Sequence, residues 1–208
     1  MYIRGFRLLQ KDLEHLFEYI EPSDDNLKCY SLRVHELLFR ACVEVEANCK
    51  AILRDNGYPQ EKRWTMADYY KVDQSHYLSL FEVKLPHWHG ERGIRKPFGP
   101  WKSAKKLEWY VAYNTAKHDR GGGFKAATLE HAVDDVCGVL VVLSAQFGAE
   151  DFSVTDTVVG NDPADGFRHA IGGYFVIRYP IMPIVEHYEF NWYALQREED
   201  PFQNYPYS

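Results

Sequence analysis

Between Ser31 and Asp55 apolar side chains fall at Leu38, Cys42, Val45, Cys49 and Ile52, in steps of four, three, four and three. An extended strand cannot bring these residues to one side, whereas a helix of 3.6 residues per turn lines them up as one core-facing stripe. Glu36 with Arg40, and Glu46 with Lys50, are each spaced four apart and suit the solvated side of the same helix. A long helix with one continuous apolar face is stable only against other apolar faces, so the remaining chain has to supply them.

Other segments do so. Residues 4 to 20 carry the stripe Leu9, Leu13, Leu16, Phe17 and Ile20, and Pro22-Ser23-Asp24-Asp25-Asn26 ends it. Residues 124 to 147 are apolar over a wide arc, from Ala126 to Leu143, and Gly148 stops them. Between these lies WKSAKKLEWYVAYNTAKHDRGGG, Trp101 to Gly123. It reads as one helix that closes on three glycines, with His118 and Arg120 in the last turn where cations suit the helix dipole. Its stripe runs Leu107, Val111, then Asn114 and His118, so two polar side chains take positions where the period expects apolar ones. A polar pair placed this way is either a bonded pair inside the core or a functional site.

Residues 57 to 100 form a long connection. Thr65-Met66-Ala67-Asp68 has the pattern of a capping box, and Tyr77, Ser79, Phe81, Val83 and Leu85 alternate as a strand does, up to Pro86. His87-Trp88-His89-Gly90-Glu91 offers metal-ligand residue types, but no further His or Cys cluster completes a site; Trp88 as a loop anchor flanked by solvated histidines is the plainer reading. Pro97-Phe98-Gly99-Pro100-Trp101 is a stiff aromatic approach to the central helix. From 151 onward the period changes to two, in Phe152–Thr155, Tyr174–Tyr179 and His187–Tyr193, separated by turn signals at Gly160–Pro163 and Gly172-Gly173. Three short strands do not stand alone. The expected organisation is a helical bundle over residues 1–150 with short β-strands of residues 151–208 packed on it, a mostly α fold with a small β-rich C-terminal appendage.

The chain has 208 residues, 46% of them apolar and 15% aromatic, enough for a substantial core. No apolar run reaches the length of a membrane span, and the first helix is charged throughout rather than built like a secretory signal. Cys29, Cys42, Cys49 and Cys137 contain no CxxC pair, and Cys42 and Cys49 lie about 10 Å apart along one helix, too far to bridge. Reduced, buried thiols in a cytoplasmic protein are expected. Net charge is −6, which argues against general nucleic-acid binding, but residues 91 to 125 hold nine basic residues against three acidic, a net +6, leaving −12 elsewhere. This positive segment surrounds the helix that bears His118, and reads either as a footprint for an anion such as RNA or as a solvated lysine face.

A histidine titrates near neutrality, so His118 is the candidate for proton transfer, with Asn114 to orient it or bind an oxyanion. Lys117, Arg120 and Tyr113 are candidates to hold a phosphate. The set suits metal-free phosphodiester cleavage in RNA. No carboxylate cluster, phosphate-binding glycine loop or GxSxG element is present. Two long helices, a later helix ending Asn-x-x-x-His and a further apolar helix resemble the HEPN superfamily (higher eukaryotes and prokaryotes nucleotide-binding). So do ELLFRACVEVEANCKAIL and YNTAKHDR with the FKAATLEHAVDDVCGVLVVLSAQFG that follows. The likeness spans residues 30 to 150. It implies a helical bundle, often dimeric, often acting in defence, toxin–antitoxin or RNA-processing systems, and in active members a metal-independent endoribonuclease that needs no cofactor. The family motif is an Arg, a polar residue such as Asn, and a His about a turn later. Asn114 and His118 match its last two members, and Tyr113 stands where the Arg belongs. What the resemblance implies is thus an RNA- or nucleotide-binding homodimer, catalytic at His118 and Asn114. The alternative from another class is a non-catalytic interaction module in which Asn114 and His118 are core polar residues.

Overall fold

The long central stripe forms α2, Leu32–Asp55, with Ser31 as its N-cap: the Ser31 hydroxyl accepts a hydrogen bond from the Val34 N–H at 3.2 Å. The computed structural model describes residues 2–59, 63–118, 123–148 and 165–181, and Tyr207. Against α2 lie α1 (Tyr2–Phe17) and the most apolar helix, α6 (Leu129–Phe147). Leu38, Cys42, Val45 and Cys49 of α2 meet Val133, Val136, Leu140 and Leu143 of α6 in a core from which water is excluded. Two short helices, α3 (Met66–Tyr69) and α4 (Val72–His76), and α5 (Glu108–His118) complete the helical part of the described residues. The architecture is mostly α, with one small four-stranded antiparallel sheet.

The sheet order is β2-β1-β4-β3, with β1 at Glu82–Lys84, β2 at Ile94–Arg95, β3 at Arg168–His169 and β4 at Val176–Arg178. Val83 lies opposite Arg95 on one side and Ile177 on the other. The strand expected from Tyr77 begins later. Tyr77 takes a left-handed conformation (φ 53°), residues 78–80 turn as a 3-10 helix, and the Asp73 carboxylate holds the Ser79 N–H at 2.7 Å. The turn costs β1 its first half, but Phe81, Val83 and Leu85 still face inward. Within Tyr174–Tyr179, β4 forms as expected; the strands expected at 152–155 and 187–193 lie outside the described residues. The β3–β4 hairpin rests on α1: Gln10 donates to the Gly172 carbonyl at 3.0 Å, Phe6 packs on Phe175 and Phe17 on Tyr174.

Loops seal the ends. The first N–H groups of α6 are satisfied by carbonyls from the loop before α2, Leu129 to Cys29 at 2.7 Å and Glu130 to Leu27 at 3.0 Å. Asp24 clasps the 86–93 loop, accepting from Trp88 Nε1 at 2.7 Å and from the Glu91 N–H at 2.8 Å, and the Trp88 bond holds its carboxyl below the usual range. Gly90 has φ +119°, and a Cβ there would run into Asp24, so no other residue suits the clasp. All four cysteines are free, three buried and Cys29 half-buried.

Among the buried polar residues, one carboxylate lies deepest. Asp135 on α6 is fully buried, and among the described residues neither of its oxygens has a hydrogen bond of good geometry. Burial pushes its carboxyl well above the usual range, outweighing the facing Cys42 thiol, and the charges of Asp134 and Glu46 add to the rise. The folded state therefore keeps this proton after the unfolded chain, with a pKa of about 3.9, has released it. Stability is full below that pH and is lost as pH rises toward the folded pKa. Asp135→Asn, which has no proton to lose, should gain on the wild type between about pH 4 and pH 8 in urea melts and match it most closely at the acid end. A stability difference that stays constant across that range would contradict a neutral, buried Asp135.

Candidate functional site

The helix expected from Trp101 to Gly123 is half that length. Gly99–Ser103 is a 3-10 turn closed by Ala104 in a left-handed conformation (φ 51°), and α5 starts only at Glu108. An L-residue at positive φ cannot continue a right-handed helix, so the chain breaks there. The aromatic approach sets the roll of α5 about its axis. Phe98 packs on Trp101 and Trp109, whose Nε1 donates to the Pro97 carbonyl at 2.9 Å. With Trp109 locked, the buried face is Trp109, Ala112, Tyr113 and Ala116. Val111, expected inside, is 39% exposed. The stripe on which Asn114 and His118 looked like core positions is therefore rolled toward solvent: Asn114 is half-buried and His118 exposed.

Each predicted site residue has a defined place. Tyr113 is buried between Phe39 of α2 (ring centroids 5.0 Å apart) and Tyr110 (5.6 Å). Its hydroxyl accepts a hydrogen bond from Lys117 Nζ at 3.3 Å, and the ammonium sits 5.2 Å from its ring centroid. The position that holds Arg in the HEPN motif is thus a wall of the helix interface, and the cation beside it comes from one turn later. Lys117 and His118 are both exposed in the last turn of α5. Arg120 lies outside the described residues. Gly123 brings the chain back against α5: a Cβ there would lie 2.5 Å from the Thr115 carbonyl oxygen, so only glycine permits the approach.

Asn114 is tied inward. Its side chain hydrogen-bonds the Tyr110 hydroxyl, which donates to Glu46 Oε1 of α2 at 3.0 Å, while Lys50 holds Glu46 Oε2 at 3.1 Å. Burial, and then the Glu46 charge, drive the Tyr110 phenol far above its ordinary range, so it stays a neutral donor. Glu46, assigned from spacing to the solvated side, faces α5 with its side chain only 15% exposed. Sequence reasoning missed both Tyr110 and Glu46. The signal for the first was present, because Tyr110 and Asn114 are four apart on one helix; Glu46 is placed by a tertiary contact and leaves no local mark.

The positive segment does not act as one surface. Arg92 pairs with Glu130, Arg95 with Asp134 at 2.6 Å, and Lys96 with Glu82 at 2.5 Å, all acids from outside the segment. Lys102, Lys105, Lys106, Lys117 and Lys125 are exposed. Trp88 is the loop anchor, with exposed His87 and His89 beside it, and His89 lies 3.2 Å from Glu21. Among the described residues no group of three or more His, Cys, Asp or Glu side chains is placed to hold a metal ion, and no helix is long and apolar enough to cross a membrane. Comparison with protein-family models, curated proteins and solved structures finds no match.

Proposed function

We propose that this chain is an HEPN-like, cytoplasmic RNA-binding protein that cleaves RNA without a metal or other cofactor, using His118 for proton transfer. The observation that carries the reading is the last turn of α5. There His118 and Lys117 are both open to solvent, and Asn114, one turn earlier, is anchored through Tyr110 to Glu46. In this chemistry neutral His118 takes the proton of a ribose 2′-hydroxyl, and that oxygen attacks the adjacent phosphorus. The 5′-oxygen leaves with a proton from solvent, giving a 2′,3′-cyclic phosphate and a 5′-hydroxyl end. Lys117, and Arg120 beyond it, offset the charge that builds on the phosphoryl oxygens. Asn114 can offer the N–H not engaged by Tyr110. HEPN-like sites are often composite across a two-fold axis, and this chain carries one Asn-x-x-x-His set, so a homodimer in light scattering at micromolar concentration belongs to the same reading.

The test is incubation of the full chain with single-stranded RNA in EDTA, followed by analysis of the product ends. Cyclic phosphate ends that depend on the protein support the reading. RNA that is neither bound nor cut removes it. The buried Tyr113 at the motif's Arg position favours a second reading, an interaction module without catalysis. In that case the chain leaves RNA intact and its α5 surface serves another macromolecule.

A further inference from the structure

Two histidine–aromatic pairs face each other across the groove between α1 and α2. On one side, His15 of α1 and Tyr19 in the turn that follows the helix have ring centroids 5.3 Å apart. On α2, His35 and Phe39, one turn apart, stack at 4.3 Å with 25° between their planes. All four line a groove of about 1060 Å³, together with Arg33 and Arg40 and with the carboxylates of Asp12 and Glu36 that pair with them. Tyr19 is 77% exposed, a degree of exposure that leaves a large ring with little packing to justify it. The groove is not isolated from the α5 site, because Phe39 also packs on Tyr113, whose hydroxyl holds Lys117.

We propose that this groove is the RNA-binding track leading to α5, in which unpaired bases stack on the Tyr19 and His35–Phe39 rings. The inference rests on the RNA-binding reading above and adds to it where the strand lies and which form of RNA is taken. The open Tyr19 ring and the outer ring of the His35–Phe39 stack suit any base, since every base has a π-face, while His35 itself is packed on Phe39 at 4.3 Å and on Phe124 at 5.3 Å. The histidine edges can donate to or accept from base edges. At about 1060 Å³ the groove lies at the upper end of the roughly 300–1,000 Å³ of a small-molecule site and has room for more than one nucleotide. Arg33 and Arg40 supply the charge for the backbone. Arg33 is paired with Glu36 at 3.1 Å and Arg40 with Asp12 at 2.5 Å, but exposed ion pairs of this kind are weak and exchange readily for phosphate. A duplex hides its base faces and cannot use the track.

The test uses the full chain carrying His118→Ala, so that the strand survives, and a fluorescein-labelled single-stranded oligoribonucleotide read by anisotropy. Adding Tyr19→Ala should weaken binding roughly five- to 150-fold, while Tyr19→Phe, which keeps the ring, stays within about twofold. A duplex of the same sequence should bind more weakly than the single strand. Tyr19 makes no core contact, so the variant folds; Phe39→Leu, which preserves bulk against Tyr113, provides a second weakening on the other wall. If the parent binds the strand and both ring variants bind equally well, the groove proposal is overturned while the α5 site stands. If the parent binds no RNA, both fall together. Should Tyr19→Ala convert a dimer to a monomer in light scattering with RNA affinity unchanged, the groove is an interface between copies and the proposal is overturned.

Discussion

Replacing His118 by alanine is expected to lower metal-free RNA cleavage by about a hundredfold to ten-thousandfold, the usual effect of losing a general acid or base. The fold should survive the change. His118 is exposed at the last residue of α5, outside the buried face of Trp109, Ala112, Tyr113 and Ala116. Its loss removes one exposed side chain near a helix C-terminus, where even a full charge is worth only about 0.3–1 kcal/mol. RNA affinity should change little, because phosphate contacts come from lysines and arginines and weaken with salt rather than with the loss of one ring. Three measurements on one variant therefore separate the readings: product formation in EDTA, anisotropy with labelled RNA, and a thermal melt. Lost cleavage with binding and melting retained assigns His118 to the chemistry. Unchanged cleavage would remove it from the reaction, and a large drop in melting temperature would make it structural after all.

The bundle was legible because its evidence is local. The α2 stripe and the broad apolar arc of α6 each name their own partner face, and the stop at Gly148 marks an end that the backbone respects. The strand at Val176–Arg178 was equally plain from its period of two. Its neighbour was not, since nothing local says that Val176–Arg178 pairs with Glu82–Lys84, nearly a hundred residues away. The site was legible in its residue types and misjudged in its orientation. Leu107, Val111, Asn114 and His118 share a helical period, but Ala104 breaks the helix and the Phe98–Trp101–Trp109 cluster sets its roll. Those are tertiary facts, and they move His118 from a presumed core stripe to solvent. Charge was the least legible feature. The sequence counts nine basic residues in one segment, whereas Arg92, Arg95 and Lys96 are engaged with Glu130, Asp134 and Glu82.

The largest loss of stability is expected from the basic residue of that segment that is most deeply buried. Arg95 in β2 is 3% exposed and pairs with Asp134 of α6 at 2.6 Å. It also donates to the Arg92 carbonyl at 3.2 Å and lies over the Trp88 ring at 5.8 Å, so one side chain fastens the sheet edge, the clasped loop and α6 together. Burial raises the Asp134 carboxyl and Arg95 lowers it, with burial the larger effect; burial is also the largest single effect on the Arg95 guanidinium and works to lower it, but the charge and hydrogen bond of Asp134 together with the Cys137 and Glu130 charges raise it on balance. The Arg95 side chain is buried and that of Asp134 only 22% exposed, so removing one partner strands the other. Arg95→Met keeps much of the packed stem and removes the guanidinium, with its charge and its hydrogen bonds to Asp134 and the Arg92 carbonyl. It should lower stability by about 3–5 kcal/mol, the scale for an uncompensated buried charge. For a chain of this size that is a fall of roughly 10 °C in melting temperature. The loss should shrink toward about pH 4, where Asp134 can take up a proton in both folded and unfolded chains, and adding Asp134→Asn should restore most of it at neutral pH. Recovery in the double variant identifies the stranded carboxylate as the cause. A loss of less than about 1 kcal/mol in Arg95→Met would place the pair among weak surface interactions and leave the fastening of β2 to its backbone bonds.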